Sequence, residues 1–405
     1  SKGGSDAEHF AKHFSAPNLI LAPIDGAWAR ALLESTHIHQ KYLQQGHGDY
    51  VRRIVEAGVC FSELAVAFSN FFPNDTGFCL TDFEVNPFVF TPDGRFLAID
   101  GFASFSSAVP VKGAASAPAL KAFFEPEGVA VVGVSTTDNT KSGNIIVENL
   151  RKLGRSDVYA VNPKGGVLAL GEEKRSLYES VGAIPHGVDL AIVTVPAAAC
   201  LAVVTDCARK KVPAVILIPG GFSEIDQHRD IEAEIRDLAR GHQMRIMGPN
   251  CLGIITAGSD GRAGINTFFI PEEKFAVNLG EENNVVLLSQ SGALGIIELE
   301  NLKNAISPKV IVSYGNQLDV DICDLVDYFQ KDPGVSVISC YIEGFKTGAG
   351  RRFFDIAARS EKPVVVYKAG RTEAGQKATE SHTASMAGEY AVAQAAMKQA
   401  GLIVA

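Results

Sequence analysis

From residue 119 to residue 405, short apolar segments alternate with segments of helical periodicity, and this alternation constrains the fold more than any other feature. The apolar segments are rich in Val and Ile without strict polar alternation, which is typical of strands covered on both faces. The βαβ pattern predicts parallel sheets with helices on both sides. We predict strands at 128–134, 158–161, 189–195, 214–218, 244–247, 284–289, 309–312, 335–341 and 363–367, separated by helices such as 144–153, 198–210 and 226–241.

The alternation is interrupted once, near residues 255–282, where the periodicity lapses. This break predicts two consecutive doubly wound domains, 119–258 and 259–405, so the fold class is α/β.

The first 105 residues have a different pattern. Helical periodicity runs through 26–45 and 48–70, and two apolar strands then flank a turn at 91–94. Pro at the second position of that turn and Gly at the fourth suit a type I turn with a bulge. Residues 106–118 are small and weakly polar, which is typical of a linker.

Charge and cysteine usage exclude several classes of protein. The 405 residues contain 37 Lys and Arg against 46 Asp and Glu, a formal net charge of −9, so we expect neither nucleic acid nor an anionic membrane as a partner. The seven cysteines form no CxxC pair, which argues against a disulfide framework or a zinc ribbon and favours a reducing cytoplasm. No apolar stretch reaches the roughly 18 residues of a membrane span. The first residue is Ser rather than Met, which fits either a tag scar or a true start upstream.

The carboxyl ends of the strands in the first domain carry small and polar residues, where doubly wound sheets bind ligands. Small residues after the first strand let backbone N–H groups approach a phosphate at a helix start, and Lys164 is placed to meet a phosphate. Four such ends together predict a nucleotide-like ligand. The residues concerned are Gly133, Ser135 and Asn144, then Asn162, Pro163 and Lys164, then Val195 and Pro196, and finally Asn250.

In the second domain, the first strand ends in the sequence SQSGAL, followed by a helix. Ser289, Ser291 and Gly292 predict an anion site at that helix start, because free N–H groups and two hydroxyls meet there. Glu343 follows a later strand beside a glycine and is a candidate for orienting a base. The SQSGAL sequence is not the hydrolase motif GxSxG, because Leu287 stands at the first glycine position.

His382 is the strongest catalytic candidate. It lies in the sequence ESHTASMAG, after a small, polar loop and before an Ala-rich helix. A histidine on such a loop is able to act as a nucleophile or as a base.

The N-terminal hairpin predicts a metal site. With its loop at 92–94, residues whose numbers sum to about 186 face each other, so Asn86 lies opposite Asp100 and shares a face with Glu84. Oxygen ligands of this kind suit Mg²⁺ that keeps waters and meets a nucleotide phosphate.

Taken together, these motifs resemble a known family. The sequences GVS, VNPKG, TVP, GPNCLGI, SQSGAL, SYGN, YIEG, KAGR and SHTxSxAG follow the order seen in nucleoside-diphosphate-forming acyl-CoA synthetases, relatives of the succinyl-CoA synthetase α subunit. The resemblance covers about residues 118–405. Residues 1–105 resemble only the C-terminal end of an ATP-grasp domain, whose E-x-N-P…D pattern matches Glu84, Asn86, Pro87 and Asp100.

The resemblance implies a CoA-binding Rossmann-like domain followed by a flavodoxin-like succinyl-CoA-ligase domain. It implies an ADP-forming acid–CoA ligase that converts acid, CoA and ATP to acyl-CoA, ADP and phosphate through an acyl phosphate. His382 would carry the phosphate, Glu343 would orient the imidazole, and the helix near Ser291 would hold the phosphate. The loops of the first domain would bind CoA, while Asn86 and Asp100 would hold Mg²⁺ beside ATP or ADP.

Two departures from the family pattern are visible. Ala384 replaces the usual glycine after His-Thr, and most of the ATP-grasp domain does not appear in residues 1–405. We therefore expect that half upstream or on another chain, and a homo- or hetero-oligomer. Two other functions stay open, a CoA-sensing module without catalysis and an ATP-citrate-lyase-like enzyme that forms citryl-CoA. An NAD-dependent dehydrogenase fits less well, because GxGxxG is absent and Asn162 and Pro163 replace the acidic ribose partner.

Overall fold

The structure, a computed structural model, describes residues 19–108, 120–171, 173–222, 229–258, 261–278, 280, 283–302, 306–372, 375 and 390–405. The chain divides into two compact units, one formed by Ser1–Ala115 with Ala391–Ala400 and the other by Ser116–Tyr390 with Gly401–Ala405. Among the described helices, none combines the length and the apolar character that a membrane span needs.

The helices and strands follow in chain order. The helices are α1 Gly26–Glu34, α2 His37–Gln44, α3 Gly48–Ala67, α4 Lys121–Phe124, α5 Ser142–Lys152, α6 Ala197–Lys210, α7 Arg229–Gly241, α8 Gly292–Leu302, α9 Ile322–Phe329, α10 Ala349–Ala357 and α11 Tyr390–Gln399. The strands are β1 Phe78–Val85, β2 Phe88–Phe90, β3 Phe96–Ala98, β4 Gly101–Ser107, β5 Val129–Val132, β6 Val158–Val161, β7 Val167–Leu170, β8 Glu173–Ser176, β9 Leu190–Val193, β10 Ala214–Leu217, β11 Arg245–Met247, β12 Gly253–Thr256, β13 Ile265–Asn266, β14 Val285–Ser289, β15 Pro308–Ser313, β16 Val337–Ile342, β17 Val364–Lys368 and β18 Ile403–Val404.

The smaller unit packs three helices around a small apolar core of Ala29, Leu33, Val51 and Val55. Its strands form two antiparallel pairs, β1 with β4 and β2 with β3. The predicted helical stretch 26–45 is split, because the backbone leaves the helix between α1 and α2 and Thr36 is extended.

The first sheet of the larger unit has the order β11-β10-β9-β5-β6, and all neighbours are parallel. Every residue of β5, β9 and β10 is buried, as expected for strands covered by helices on both faces. The predicted strand at 158–161 is found with the same bounds, and the other four of this sheet are found one to three residues shorter.

The second sheet has the order β13-β12-β15-β14-β16-β17-β18. Strands β15, β14, β16, β17 and β18 are parallel, which confirms the predicted pattern. However, β12 pairs antiparallel with β15 and β13 pairs antiparallel with β12. The sequence placed residues 253–256 before the domain boundary near 258, whereas their backbone hydrogen bonds belong to the second sheet. Periodicity did not reveal this, because a short apolar strand has the same sequence pattern in either sheet.

The two sheets are joined through the end of β11. The segment 316–320 runs antiparallel to 246–249, with bonds from the N–H of Leu318 to the carbonyl of Gly248 (2.8 Å) and from the N–H of Val320 to that of Ile246 (2.9 Å). Arg245 donates to Asp319 Oδ2 and to Asp324 Oδ2 at 2.7 Å each. This junction fixes the carboxyl end of β11 against the second sheet.

Candidate active site

The order in which strands are added to the first sheet reverses between β5 and β9. The chain runs from β5 to β6 on one side and then continues from β9 on the other, so the loops after β5 and β9 border a crevice. Such a switch point is where doubly wound sheets bind ligands.

Asn144 organises the loop after β5. Its side chain is 1% exposed, accepts from the Ser135 N–H (2.8 Å) and donates to the Ser135 carbonyl (2.8 Å) and to Asn139 Oδ1 (3.2 Å). Asn144 therefore locks the loop over the start of α5, where the first N–H groups have no intrahelical partner. This is the geometry of an anion-binding turn.

Gly133 brings the loops after β5 and β9 into contact. Its φ is +102°, and a Cβ there would lie 2.5 Å from Thr194 Oγ1 and 3.1 Å from Val195 Cγ1. Only glycine allows both this conformation and this approach. Pro196 follows as the exposed residue that precedes α6. The predicted residues of these two loops thus form one rim.

Asn162 attaches the loop after β6 to the same rim. Its side-chain amide donates to the Val134 carbonyl (2.7 Å), and its Oδ1 accepts from the N–H of Lys164 (2.8 Å). Pro163 and Lys164 are exposed, so the Lys164 side chain is accessible to a phosphate at this edge.

Asn250 lies apart from these loops. It follows β11, which is separated from β5 by β9 and β10, or about 14 Å at the usual strand spacing. It is exposed and has φ +57°, and Gly220 approaches its side chain closely. The predicted residues therefore line the whole carboxyl edge of the sheet rather than one point. Cys251 beside Asn250 is not an available nucleophile, because burial raises the pKa of its thiol to about 12.

The second sheet has an equivalent switch point between β14 and β16. Gln290, directly after β14, accepts from the N–H groups of Glu343 (2.9 Å) and Gly344 (3.2 Å) through its Oε1. The Gln290 N–H in turn donates to the Tyr341 carbonyl (3.1 Å). The loops after β14 and β16, which the sequence singled out separately, are thus joined.

The start of α8 lies in this crevice. Ser289 donates its hydroxyl to the carbonyl of Ser291 (2.6 Å), and Ser291 Oγ caps the helix by accepting from the Leu294 N–H (3.3 Å). In an α-helix that begins at Gly292, the first N–H groups have no intrahelical partner. Together with the helix dipole, they can hold an anion.

Glu343 is buried at the edge of the same crevice, with 7% of the residue exposed. The ammonium of Lys368, itself buried, donates to the Glu343 carbonyl (2.7 Å) and to the Ala369 carbonyl (2.8 Å). Burial lowers the pKa of Lys368, and the nearby charge of Glu343 opposes that lowering. Tyr314 donates to the Tyr341 carbonyl (3.1 Å), and its burial raises its pKa well above the ordinary value.

Sequence reasoning missed Gln290 and Lys368. Gln290 stands between two serines that were selected for their hydroxyls, and Lys368 ends an otherwise apolar strand. A lysine after a run of buried Val residues was the available signal, because a charge at such a position needs partners. His382 lies outside the described residues, and its role stays a prediction.

The predicted register of the N-terminal hairpin is found in the smaller unit. Phe88 pairs with Ala98 and Val85 with Gly101, and the Asn86 N–H donates to the Asp100 carbonyl (3.0 Å). The Asn86 amide also donates to Glu84 Oε1 at 3.4 Å. Among the described residues, no group of three His, Cys, Asp or Glu side chains is gathered for a metal.

Comparison with known proteins bears on both switch points. Residues 127–257 match the family model of a CoA binding domain, and residues 282–405 match that of a succinyl-CoA ligase like flavodoxin domain. The α subunit of acetate–CoA ligase [ADP-forming] I from Pyrococcus furiosus is 38% identical over 289 residues, which are 70% of this chain and 60% of that subunit. The chain belongs to the ADP-forming acyl-CoA synthetase family.

Solved structures agree with this assignment. The acetyl-coenzyme A synthetase 1 of Ca. Korarchaeum cryptofilum, in complex with phosphate and ADP, superimposes with a TM-score of 0.63 at 38% identity, over 71% of this chain and 59% of that one. ATP citrate lyase from Methanothrix soehngenii shares the fold, with a TM-score of 0.51 at 18% identity. The chain thus spans about 60% of the length of the acetate–CoA ligase α subunits that it matches. All strands of the first sheet lie within the residues matched by the CoA binding domain, and strands β14 to β18 of the second sheet lie within those matched by the ligase domain.

Proposed function

We propose that the chain is the CoA-binding and phosphate-carrying part of an ADP-forming acyl-CoA synthetase, which converts acid, CoA and ATP to acyl-CoA, ADP and phosphate. The observation that carries the proposal is the junction of the second switch point, where Gln290 ties the buried Glu343 to the loop that starts α8. Glu343 and the start of α8 then border one crevice, which suits a site that must hold both an imidazole and a phosphate. The relatives named as ADP-forming CoA ligases support the same reaction.

CoA would lie along the carboxyl edge of the first sheet. Its phosphates would meet the N–H groups over α5 that Asn144 positions, and Lys164 would neutralise phosphate charge at the β6 end. Val195 and Pro196 would contact the ligand at the crevice, and Asn250 would contact it farther along the edge. The span from β6 to β11 supports an extended ligand rather than a compact one.

In the direction of acyl-CoA breakdown, the reaction would proceed in two steps. A phosphate oxygen attacks the thioester carbon, the C–S bond breaks, and the CoA thiolate takes a proton, which gives an acyl phosphate. A neutral nitrogen of His382 then attacks phosphorus, the bond from phosphorus to the acyl oxygen breaks, and the free acid leaves. Positioning and charge neutralisation supply most of such catalysis, and the start of α8 would provide both.

Glu343 would accept a hydrogen bond from the imidazole of His382 and fix which nitrogen attacks. A buried carboxylate selects the tautomer and stabilises the positive charge that develops on the ring. Because the attacking nitrogen must be unprotonated, the rate would fall below about pH 6.5, the ordinary pKa of histidine.

Asn86 and Asp100 would hold Mg²⁺ at the nucleotide site. Two oxygen donors opposite each other fit a cation that takes its other ligands from water and from the phosphates of ATP or ADP. Bound Mg²⁺ would neutralise phosphate charge during transfer.

The remaining ATP-grasp half would come from upstream or from another chain, in a homo- or hetero-oligomer. In the smaller unit, Phe78, Phe102 and Phe105 are 58%, 60% and 53% exposed on the two-stranded sheet of β1 and β4. A two-stranded sheet has marginal stability by itself, and exposed aromatic rings are typical of interaction surfaces. Both observations support a partner that extends this sheet and covers the rings. We place the enzyme in the cytoplasm, in line with its reduced cysteines.

Intact-protein mass tests the proposal. The chain is incubated with Mg²⁺, phosphate and a panel of acetyl-, 4-hydroxybutyryl- and feruloyl-CoA, acyl groups taken from the names of relatives. We expect one acid-labile phosphate on the wild type and none on His382→Ala. The control is His242→Ala, which replaces an exposed histidine directly after α7 and should carry the phosphate like the wild type. If no acyl-CoA phosphorylates the chain even with an ATP-grasp half supplied, the ligase function is wrong, and tight CoA binding alone would then indicate a sensor.

A further inference from the structure

Glu343 is held through its backbone from two sides. Gln290 accepts from its N–H at 2.9 Å, and Lys368 donates to its carbonyl at 2.7 Å. These contacts come from the ends of the two strands that flank β16, so three neighbouring strands converge on one residue. These bonds fix the backbone of Glu343, and its burial limits the rotamers that its side chain can adopt.

Lys368, the first residue of the KAGR sequence, also places a charge at the end of an otherwise apolar strand. The residue is 5% exposed, and its ammonium bonds only to the carbonyls of Glu343 and Ala369 among the contacts described. The charge of Glu343 acts on Lys368 and favours its protonated form. By the same interaction, the ammonium favours the ionised form of the Glu343 carboxylate.

We propose that Gln290 and Lys368 are positioning residues for the phosphoryl transfer, because their bonds hold the backbone of Glu343 and so limit where its carboxylate can lie. The buried ammonium of Lys368 would in addition oppose a second positive charge on an imidazole that Glu343 binds. This inference rests on the proposed function, in which that imidazole belongs to His382. Neither residue contacts the reacting atoms in the proposal, because both act through Glu343.

The same strand region supplies a matched control. Lys362, just before β17, donates to the carbonyls of Phe329 (3.1 Å) and Asp332. It makes the same kind of contact as Lys368, two backbone carbonyls from one ammonium, at the opposite end of the sheet. Lys362→Met therefore measures the effect of losing two ammonium–carbonyl bonds while the surroundings of Glu343 stay unchanged.

The charged and titratable groups near Glu343 bear on the expected pH response. Glu343 interacts electrostatically with Lys368 and with Tyr314, and Tyr314 interacts in turn with Cys340, Asp321 and Cys323. Burial raises the pKa values of Tyr314 and Cys340, so neither titrates between pH 5 and 8. A shift, between pH 5 and 8, of the acid limb of the pH–rate profile would therefore report a change at the proposed imidazole.

The experiment measures the rate of phosphoenzyme formation from acyl-CoA and phosphate between pH 5 and 8, by intact mass, for the full chain. We expect Lys368→Met to lower the rate about 10- to 100-fold and to move the acid limb about 0.5–1 pH unit higher, because the imidazole protonates more readily. Lys368→Arg keeps the charge and should return the limb to its original position. Lys362→Met should stay within about 2-fold of wild type with an unmoved limb.

Gln290→Met provides a second variant that keeps the Lys368 charge. We expect it to lower the rate about 10-fold without moving the acid limb, so the inference stays testable even if Lys368→Met does not fold. If Lys368→Met and Gln290→Met have the same rates and acid limbs as Lys362→Met, the inference is wrong while the proposed function still stands. An unphosphorylated wild type would instead refute the proposed function, and the inference with it.

Discussion

Gly315 lies against the backbone of Asn250 where the ligase domain meets the CoA-binding domain. Its φ is +59°, and a Cβ at this position would come within 2.6 Å of the Asn250 carbonyl oxygen. The next residue, Asn316, donates its N–H to the Pro249 carbonyl at 2.9 Å. The loop after β15 is therefore in backbone contact with the loop that carries a proposed CoA contact, and only glycine permits it.

Gly315→Ala should destabilise the junction. We expect a loss of about 2–5 kcal/mol in the free energy of unfolding, from the strained φ and the clash with the 249–250 backbone. Gly171→Ala is the matched control, because Gly171 also has a positive φ of +63° but meets nothing within 4 Å. It should cost about 1 kcal/mol. Urea unfolding followed by circular dichroism measures both, and equal losses would show that the Asn250 contact is unimportant.

Asn144→Ala should weaken CoA binding. The change removes the two bonds to Ser135 that shape the loop over α5, so we expect the Kd for CoA to rise about 10-fold or more. Asn149→Ala on the same helix loses bonds to the carbonyls of Phe268 and Ile270 instead and should leave the Kd unchanged. Isothermal titration with CoA distinguishes them, and a similar rise in both variants would mean that loss of helix stability explains the effect.

Lys346 should make stability depend on pH. Burial lowers its pKa to about 8, while Arg236 lowers it further and Glu232 opposes this. In the unfolded chain the pKa is about 10.4, so unfolding takes up a proton between these values. The contribution of Lys346 to stability therefore rises from pH 8 to about pH 10.4, by about 3 kcal/mol at most.

Lys346→Met removes this titration. The difference in unfolding free energy between wild type and variant should shift in favour of the wild type as the pH rises from 7.5 to 9.5 (two assay values chosen to span about pH 8). Urea midpoints at several pH values measure the difference. A difference that is constant across this range would show that the ammonium of Lys346 titrates normally in the folded chain.

Glu343→Gln should slow phosphoenzyme formation. The amide keeps the shape of the carboxylate but not its charge, so the imidazole cation that develops in transfer loses its stabilisation, and we expect about a 100-fold lower rate. Glu361→Gln, an exposed carboxylate before β17, should retain the wild-type rate. Intact mass against time gives both rates. Wild-type kinetics in Glu343→Gln would remove Glu343 from the mechanism.

The sequence by itself determined the features that depend on short-range patterns. Val and Ile runs of four to six residues identified the parallel strands, and the facing of Asn86 and Asp100 followed from the loop length of one hairpin. Small and polar residues after the strands marked the loops that meet ligands. These patterns are local, because the period of a strand and the register of a hairpin are fixed by neighbours in the chain.

Only the tertiary structure decided how those pieces combine. Strand β12 belongs to the second sheet because it pairs with β15, about fifty residues later, and no local pattern distinguishes the two sheets. Gln290 and Lys368 acquire their roles only because β14 and β17 flank β16 and bring both side chains to Glu343. Strand order follows from the burial of whole faces and from pairing between distant segments, and these terms have no signature in any single stretch of sequence.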